Sequence, residues 1–262
     1  MKLSLSGRLV ESADGPIVSN REFLDLAGRF GYDAVDLRVS QLSPATSASE
    51  LSALRAALAD NGLAVFEGAY AGDLAQAGGE EAFAEFAALL ADLGAEGVRM
   101  SGDLAALKRA ARLAEPHGVR VLYQMHTGGP FETIASAAEA VAKIDEPAFG
   151  VMPEPANLLL AREPFGEDMF APLAGHILGV HVQTLEVRPD APDALTLADG
   201  TRVRYARVPY EANAQIDFAT FFAALRRAGF DGTVNELEPC PGPADLADTV
   251  RRAAEFLRPL IA

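Results

Sequence analysis

The sequence predicts one α/β domain spanning residues 1–262, a closed (β/α)8 barrel, and three observations carry that reading. Short branched or aromatic runs alternate with Ala/Leu-rich stretches whose apolar residues return at three and four, as in Phe218, Phe221, Phe222 and Leu225. That alternation supplies the full barrel set of strands, each followed by a helix. Glycine stands between helix and strand in Phe30-Gly31-Tyr32, Asn61-Gly62-Leu63, Leu93-Gly94-Ala95, His117-Gly118-Val119 and Ala228-Gly229-Phe230, where a helix-ending residue belongs. An open doubly wound sheet is the competing fold, but Gly7 and Gly15 are too far apart for a dinucleotide fingerprint.

In chain order, strands are expected at 3–9, 34–38, 63–67, 97–100, 119–124, 149–152, 177–183 and 233–237, and helices at 20–30, 47–60, 80–93, 103–116, 132–145, 166–174, 215–228 and 243–259. Ser47 or Ser49 caps the second helix, and Asp217 the seventh. Residues 184–214 are too long for a simple connection. They hold Pro189, Pro192 and Pro209, a turn at Ala198-Asp199-Gly200 and a short strand over 202–208. Their position after the seventh strand makes them a candidate lid over the mouth, against the alternatives of decoration or a dimer contact.

Composition narrows the partners. Lys plus Arg is 22 against 37 Asp plus Glu, a net charge of −15, and the basic residues are scattered. That argues against a grip on nucleic-acid phosphates. Apolar residues make up 50 % and charged residues 23 %, as in globular proteins. Cys240 is the single cysteine, which excludes an intrachain disulfide and fits a cytoplasmic location. Residues 1–18 lack the apolar run of a secretory leader, and no stretch approaches the roughly 18 apolar residues of a membrane span.

The candidate chemistry lies at strand ends. In the fifth strand a period of two puts Leu122, Gln124 and His126 on one face. The sixth ends at Glu154, stiffened between Pro153 and Pro155, with Asn157 three residues on. The seventh puts His181 and Gln183 on one face with Gly179 below, opening room under the imidazole. Glu236 and Glu238 share a face of the last strand, about 7 Å apart, and both are expected to point inward. One of them binds an ion, and the other accepts substrate hydroxyls or stays solvated. Asp36 and Arg38, Glu67 and Arg99 close earlier strands; Arg99 binds a substrate anion or pairs with an acid at the rim. Each candidate has a plainer alternative: His126 as a loop residue, Glu154 as a turn acid capped with Asn157, His181 as a satisfied core histidine.

One or two carboxylates, a histidine and a carboxamide suit a divalent ion, Mn²⁺ first, or Mg²⁺, Co²⁺ or Fe²⁺, rather than a cysteine-bound structural zinc. Such an ion grips adjacent hydroxyl and carbonyl oxygens and stabilises an enediolate while a carboxylate moves the proton. Aldose–ketose isomerisation, epimerisation and elimination all run through that intermediate.

Four segments resemble motifs of the sugar phosphate isomerase/epimerase superfamily, the xylose isomerase-like barrels: Gln124-Met125-His126, Glu154-Pro155-Ala156-Asn157, His181-Val182-Gln183-Thr184, and Gly229-Phe230-Asp231-Gly232 leading to Glu236. The resemblance covers nearly the whole chain. It implies a metal held by Gln124, Glu154, His181 and Glu236, where the family has Glu, Asp, His and Glu. Catalysis is expected from Glu236, His126 and Glu154, with Arg99, Glu67, Gln183, Asn157 and Glu238 placed by strand-end position on a small carbohydrate substrate. A homodimer or homotetramer is a fold-level expectation.

The departures matter as much as the matches. Gln124 removes a charge and a base, Glu154 is a methylene longer than Asp, and Thr184 replaces an acid. Glu236 arrives one residue before the family's last glutamate and Glu238 one after. A metal-dependent sugar isomerase or lyase is therefore expected ahead of an epimerase with altered bases, a noncatalytic sugar-binding barrel, or an endonuclease, which the charge opposes.

Overall fold

The expected strands close into a ring in a computed structural model that describes residues 1–262. They are β1 (Lys2–Ser6), β2 (Ala34–Leu37), β3 (Ala64–Ala69), β4 (Gly97–Arg99), β5 (Arg120–Gln124), β6 (Phe149–Met152), β7 (Val180–Val182) and β8 (Thr233–Glu236). All pair in parallel, in the order β6-β5-β4-β3-β2-β1-β8-β7. A parallel bridge from Val151 to Ile177 closes the ring, with His181 N–H donating to Pro153 O at 3.1 Å.

Helices α1 (Asn20–Arg29), α2 (Ala48–Asn61), α3 (Gly79–Asp92), α4 (Leu104–Ala114), α5 (Ile134–Ile144), α6 (Pro155–Leu160), α7 (Phe218–Arg227) and α8 (Leu246–Ile261) surround it. Ser47, rather than Ser49, starts α2 through a reciprocal cap with Glu50, and Asp217 accepts from Thr220 N–H at 3.0 Å to start α7. Gly62 ends α2 at φ 63°, the left-handed conformation that stops a helix without a Cβ penalty. The apolar stripe of α7 (Phe218, Phe221, Phe222, Leu225) is wholly buried, each side chain contributing about 1.5–3 kcal/mol. No helix is long and apolar enough to cross a membrane.

Three expectations are corrected. The first strand stops at Ser6, whose hydroxyl accepts from Arg8 N–H at 3.2 Å and turns residues Gly7–Val10 into a 3₁₀ helix. The sixth helix is not at 166–174, where Gly166 and Pro172 leave only a 3₁₀ turn, Ala171–Leu173. It follows β6 directly, because Pro155 has the right φ for a first turn and Glu154 caps it from the preceding position. Residues 184–214 are more ordered than a loop. Strands Glu186–Val187, Asp193–Thr196 and Arg202–Ala206 form an antiparallel sheet with the last in the middle. Glu132 Oε2 accepts both Gly128 N–H and Ala198 N–H, pinning this sheet to the loop after β5.

Most of the core lies between strands and helices, and the barrel interior holds only a small apolar layer of Ala34, Phe66, Leu122 and Met152. Every side chain above that layer toward the C-terminal ends is therefore free to be polar. Gly179 belongs to this packing: a Cβ there would collide with Phe66 Cζ, so the room it leaves is filled by a ring rather than reserved for His181. Gly179→Ala is expected to lower unfolding free energy by about 1–3 kcal/mol, since the added methyl would collide with a wholly buried ring. Urea unfolding would measure this, and unchanged stability would show that the interior yields.

Candidate functional site

Cross-strand partners in a parallel sheet present their side chains to the same face, so register decides which residues enter the barrel. Ser4 pairs with Asn235 and Asn235 with His181, and Asn235 Nδ2 donates inward to Asp36 Oδ2 at 3.2 Å. Leu5 pairs with Glu236 and Glu236 with Val182, and both neighbours belong to the core against the helices. Glu236 consequently faces outward, which corrects the expectation that it points into the barrel. Its Oε1 accepts from Glu238 N–H at 3.2 Å, and its Oε2 has no partner. Burial, reinforced by the charge of Glu238, pushes this carboxyl well above its usual range.

Glu238 also lies away from the mouth. It accepts from Thr184 N–H at 2.5 Å, sits 3.5 Å from Arg207 Nη1, and lines a separate cavity of about 250 Å³ with Tyr210, Cys240, Thr249 and Arg252. Burial raises its carboxyl to about 7, against the opposing pull of Thr184 N–H and Arg207. The residue that does enter the barrel here is Leu237, which lines the mouth.

Glu154 is the centre of the inward layer. Its Oε2 accepts from Gln183 Nε2 at 2.9 Å, from Gln124 Nε2 at 3.2 Å and from Asn157 Nδ2. Its Oε1 accepts Asn157 N–H at 3.3 Å as the cap of α6. Burial raises the carboxyl, and the amides, Gln183 first, offset part of that. His181 lies one turn of the pleat deeper than Gln183. Its Nε2 is 2.9 Å from Glu67 Oε1, on which Arg99 Nε also closes at 3.1 Å. Burial and the charge of Asp36 push Glu67 well above its usual range. A register shift between Val35 and Asp36 brings Asp36 alongside Glu67.

These four positions do not fit a divalent ion. One oxygen of Glu154 is taken by three amide donors, among them the nitrogen of Gln124. His181 Nε2 is occupied by Glu67, and Glu236 is on the other side of the strand. No group of three or more His, Cys, Asp or Glu side chains is placed to hold a metal. Gln124→Glu would face Glu154 with a second carboxylate and is expected to raise Mn²⁺ affinity about 10–100-fold, as gain of a supporting ligand does elsewhere. Equal affinities by calorimetry would place residue 124 outside any ion's reach.

The mouth opens into two adjoining cavities of about 560 and 350 Å³ that share Arg38, Arg99, Gln124 and His126 as walls. Of the expected site residues, Arg99, Gln124, His126, Asn157 and Gln183 reach these cavities; Glu67, Glu154 and His181 lie beneath the floor, while Glu236 and Glu238 are elsewhere. Arg8, Arg207 and Tyr205 also line the mouth and were not singled out from sequence. Arg8 closes the first strand region as Arg38 and Arg99 close theirs, so the same strand-end signal was present. Arg207 arrives on the inserted sheet, which periodicity alone does not aim.

His126 is exposed, and its Nδ1 lies 3.0 Å from Thr127 O. The Nδ1–H tautomer of the neutral ring donates to that carbonyl and leaves Nε2 with its lone pair.

Comparison with known proteins agrees with this architecture. The model of the xylose isomerase-like TIM barrel family matches residues 24–260. The chain is similar to a xylose isomerase domain protein from Alicyclobacillus acidocaldarius, at 22 % identity and a TM-score of 0.74, over 100 % of this chain and 98 % of that one. It is also similar to D-psicose 3-epimerase with D-tagatose from Clostridium cellulolyticum H10, at 14 % identity and a TM-score of 0.73, over 100 % and 99 %. A xylose isomerase-like TIM barrel protein from Mycobacterium smegmatis in complex with magnesium matches at 18 % identity and a TM-score of 0.68, over 100 % and 98 %. No curated protein sequence matches the chain.

Proposed function

Because the chain belongs to the xylose isomerase-like TIM barrel family, we propose that it is an isomerase or epimerase that moves a proton next to the carbonyl of a small hydroxylated carbohydrate at the barrel mouth. The observation that carries this reading is the wall shared by the two cavities, where His126 stands beside Gln124, Arg38 and Arg99. In this reading His126 Nε2 takes the proton. Arg38 and Arg99 face the oxygen that gains charge as the enediolate forms, and fixed positive groups in a partly enclosed site favour that charge. Gln124, Asn157 and Gln183 hydrogen-bond substrate hydroxyls, their orientation held by the buried Glu154. The sheet over residues 184–214 serves as a lid, since Leu195, Tyr205 and Arg207 reach the smaller cavity from it.

A second reading, a noncatalytic carbohydrate-binding barrel, is favoured by the lining itself, in which no Asp or Glu appears. Incubating the protein in D₂O with ketoses, aldoses and their acid and phosphate derivatives separates the two. Loss of the NMR signal of a C–H beside the carbonyl supports catalysis. Saturable binding of these compounds with no exchange in any of them would overturn it in favour of the binding barrel.

A further inference from the structure

We propose that Arg8 and Arg207 form a clamp for an oxyanion substituent of the substrate, a carboxylate or a phosphate. The proposal rests on the mouth being the carbohydrate site and names the class of carbohydrate it takes: an acidic one.

The geometry is that of two cations sharing one neutral oxygen. Arg8 Nη1 and Arg207 Nη1 donate to the same atom, Gln183 Oε1, at 3.2 and 2.9 Å. Gln183 cannot move away, because its Nε2 is tied to buried Glu154. The only other acceptor for Arg8 is Leu237 O, at 3.0 Å, and no carboxylate lies within ion-pair distance of it. Arg207 has Glu238 at 3.5 Å, on the far side from the mouth.

Two guanidiniums at one acceptor repel, and burying one without a counter-charge is costly. Burial first, and then the charge of Arg207, lower the Arg8 pKa, which is the same conflict expressed as proton affinity. An oxyanion resolves it. Each guanidinium carries five N–H donors, and here both bond only through Nη1, so the remaining donors are free for a bidentate contact.

The surroundings favour an anion too. Four arginines and one histidine line the two cavities with no acid on the walls, in a chain whose net charge is −15; Arg38, Arg99 and Arg207 are paired to Glu11, Glu67 and Glu238 behind them, and Arg8 has no carboxylate partner. The long-range field of the chain repels anions, so this concentration is local to the mouth. The positive charge there comes from side chains, and the ligand it suits is a fixed anionic group.

Calorimetry at low ionic strength with inorganic phosphate, D-gluconate and neutral D-glucitol tests the clamp. Saturable binding of phosphate or gluconate is expected, with Arg8→Gln and Arg207→Gln each weakening it about ten- to hundredfold. Arg120→Gln, at the opposite rim, should leave it unchanged. Binding of phosphate alone assigns a phosphate ester, binding of gluconate alone a sugar acid, and binding of both the shared oxyanion chemistry. If a glutamine variant fails to fold by circular dichroism, Arg8→Lys and Arg207→Lys keep the charge with fewer donors and should weaken binding by an intermediate factor. No anion binding to the wild type, or equal binding in both mouth variants, would overturn the clamp. Exchange that proceeds while the variants bind anions normally removes the clamp alone; anion binding lost in the variants with no exchange on any substrate removes the proposed catalysis alone.

Discussion

His126→Gln is expected to slow carbon-bound hydrogen exchange about 10²–10⁴-fold while leaving the melting transition in place. The magnitude is that of losing a general base. Glutamine keeps a side chain that can hydrogen-bond Thr127 O, but no lone pair that accepts a proton near neutrality. Folding is expected to be indifferent because the imidazole is exposed and bonded only to its neighbour Thr127. Glu236→Gln provides the contrast. That carboxyl lies on the helix-facing side, away from the cavities at the mouth and with its pKa raised by burial, so the amide changes nothing that substrate would meet. Its exchange rate should match the wild type. Equal rates in His126→Gln and wild type would sink the role of His126, and loss of exchange in Glu236→Gln would return the base to the last strand.

The fold was legible because it is written in redundant local signals. Period, caps and glycines all agree for α2 and α7, and closing a ring needs no further instruction once each strand–helix unit is in place. The misplaced sixth helix shows where such signals stop: 166–174 has helical composition, but Gly166 and Pro172 break it, while the six residues after β6 are too few to display a period. The candidate site was legible in location and less so in detail. Strand-end logic found Gln124, His126, Asn157, Gln183 and Arg99. It missed the face of Glu236 because parity fixes which residues of a strand share a face, not which face is inside. That choice is made by the register of Leu5 and Val182 beside it, a property of three strands rather than one. The shift at Val35/Asp36, which sets Asp36 against Glu67, is likewise invisible in either strand alone.

A distinct pH effect is expected from His181. Burial first, then the charges of Arg38 and Arg8, push its imidazole down to about 3, whereas the unfolded chain titrates near the ordinary 6.5. Between those values the unfolded state binds a proton that the folded state declines. The contribution of His181 to stability is therefore intact above about 6.5 and is lost as pH falls toward 3, by about 1.4 kcal/mol per pH unit. The buried carboxyls of Asp36, Glu67 and Glu236 work in the opposite sense: their pKa values are raised by burial, so they favour the fold at acid pH and weaken it as pH rises through the ionisation range. Total acid stability mixes these effects, but the difference between wild type and His181→Gln isolates one of them. Glutamine can still donate to Glu67 and has nothing to titrate. The variant should gain on the wild type steadily below pH 6, by about 3 kcal/mol at pH 4, in urea unfolding at matched pH. A difference that stays constant with pH would mean that the folded imidazole titrates normally and takes a proton beside Glu67. In that case the pair is an ion pair reached by solvent rather than a neutral hydrogen bond sealed beneath the mouth.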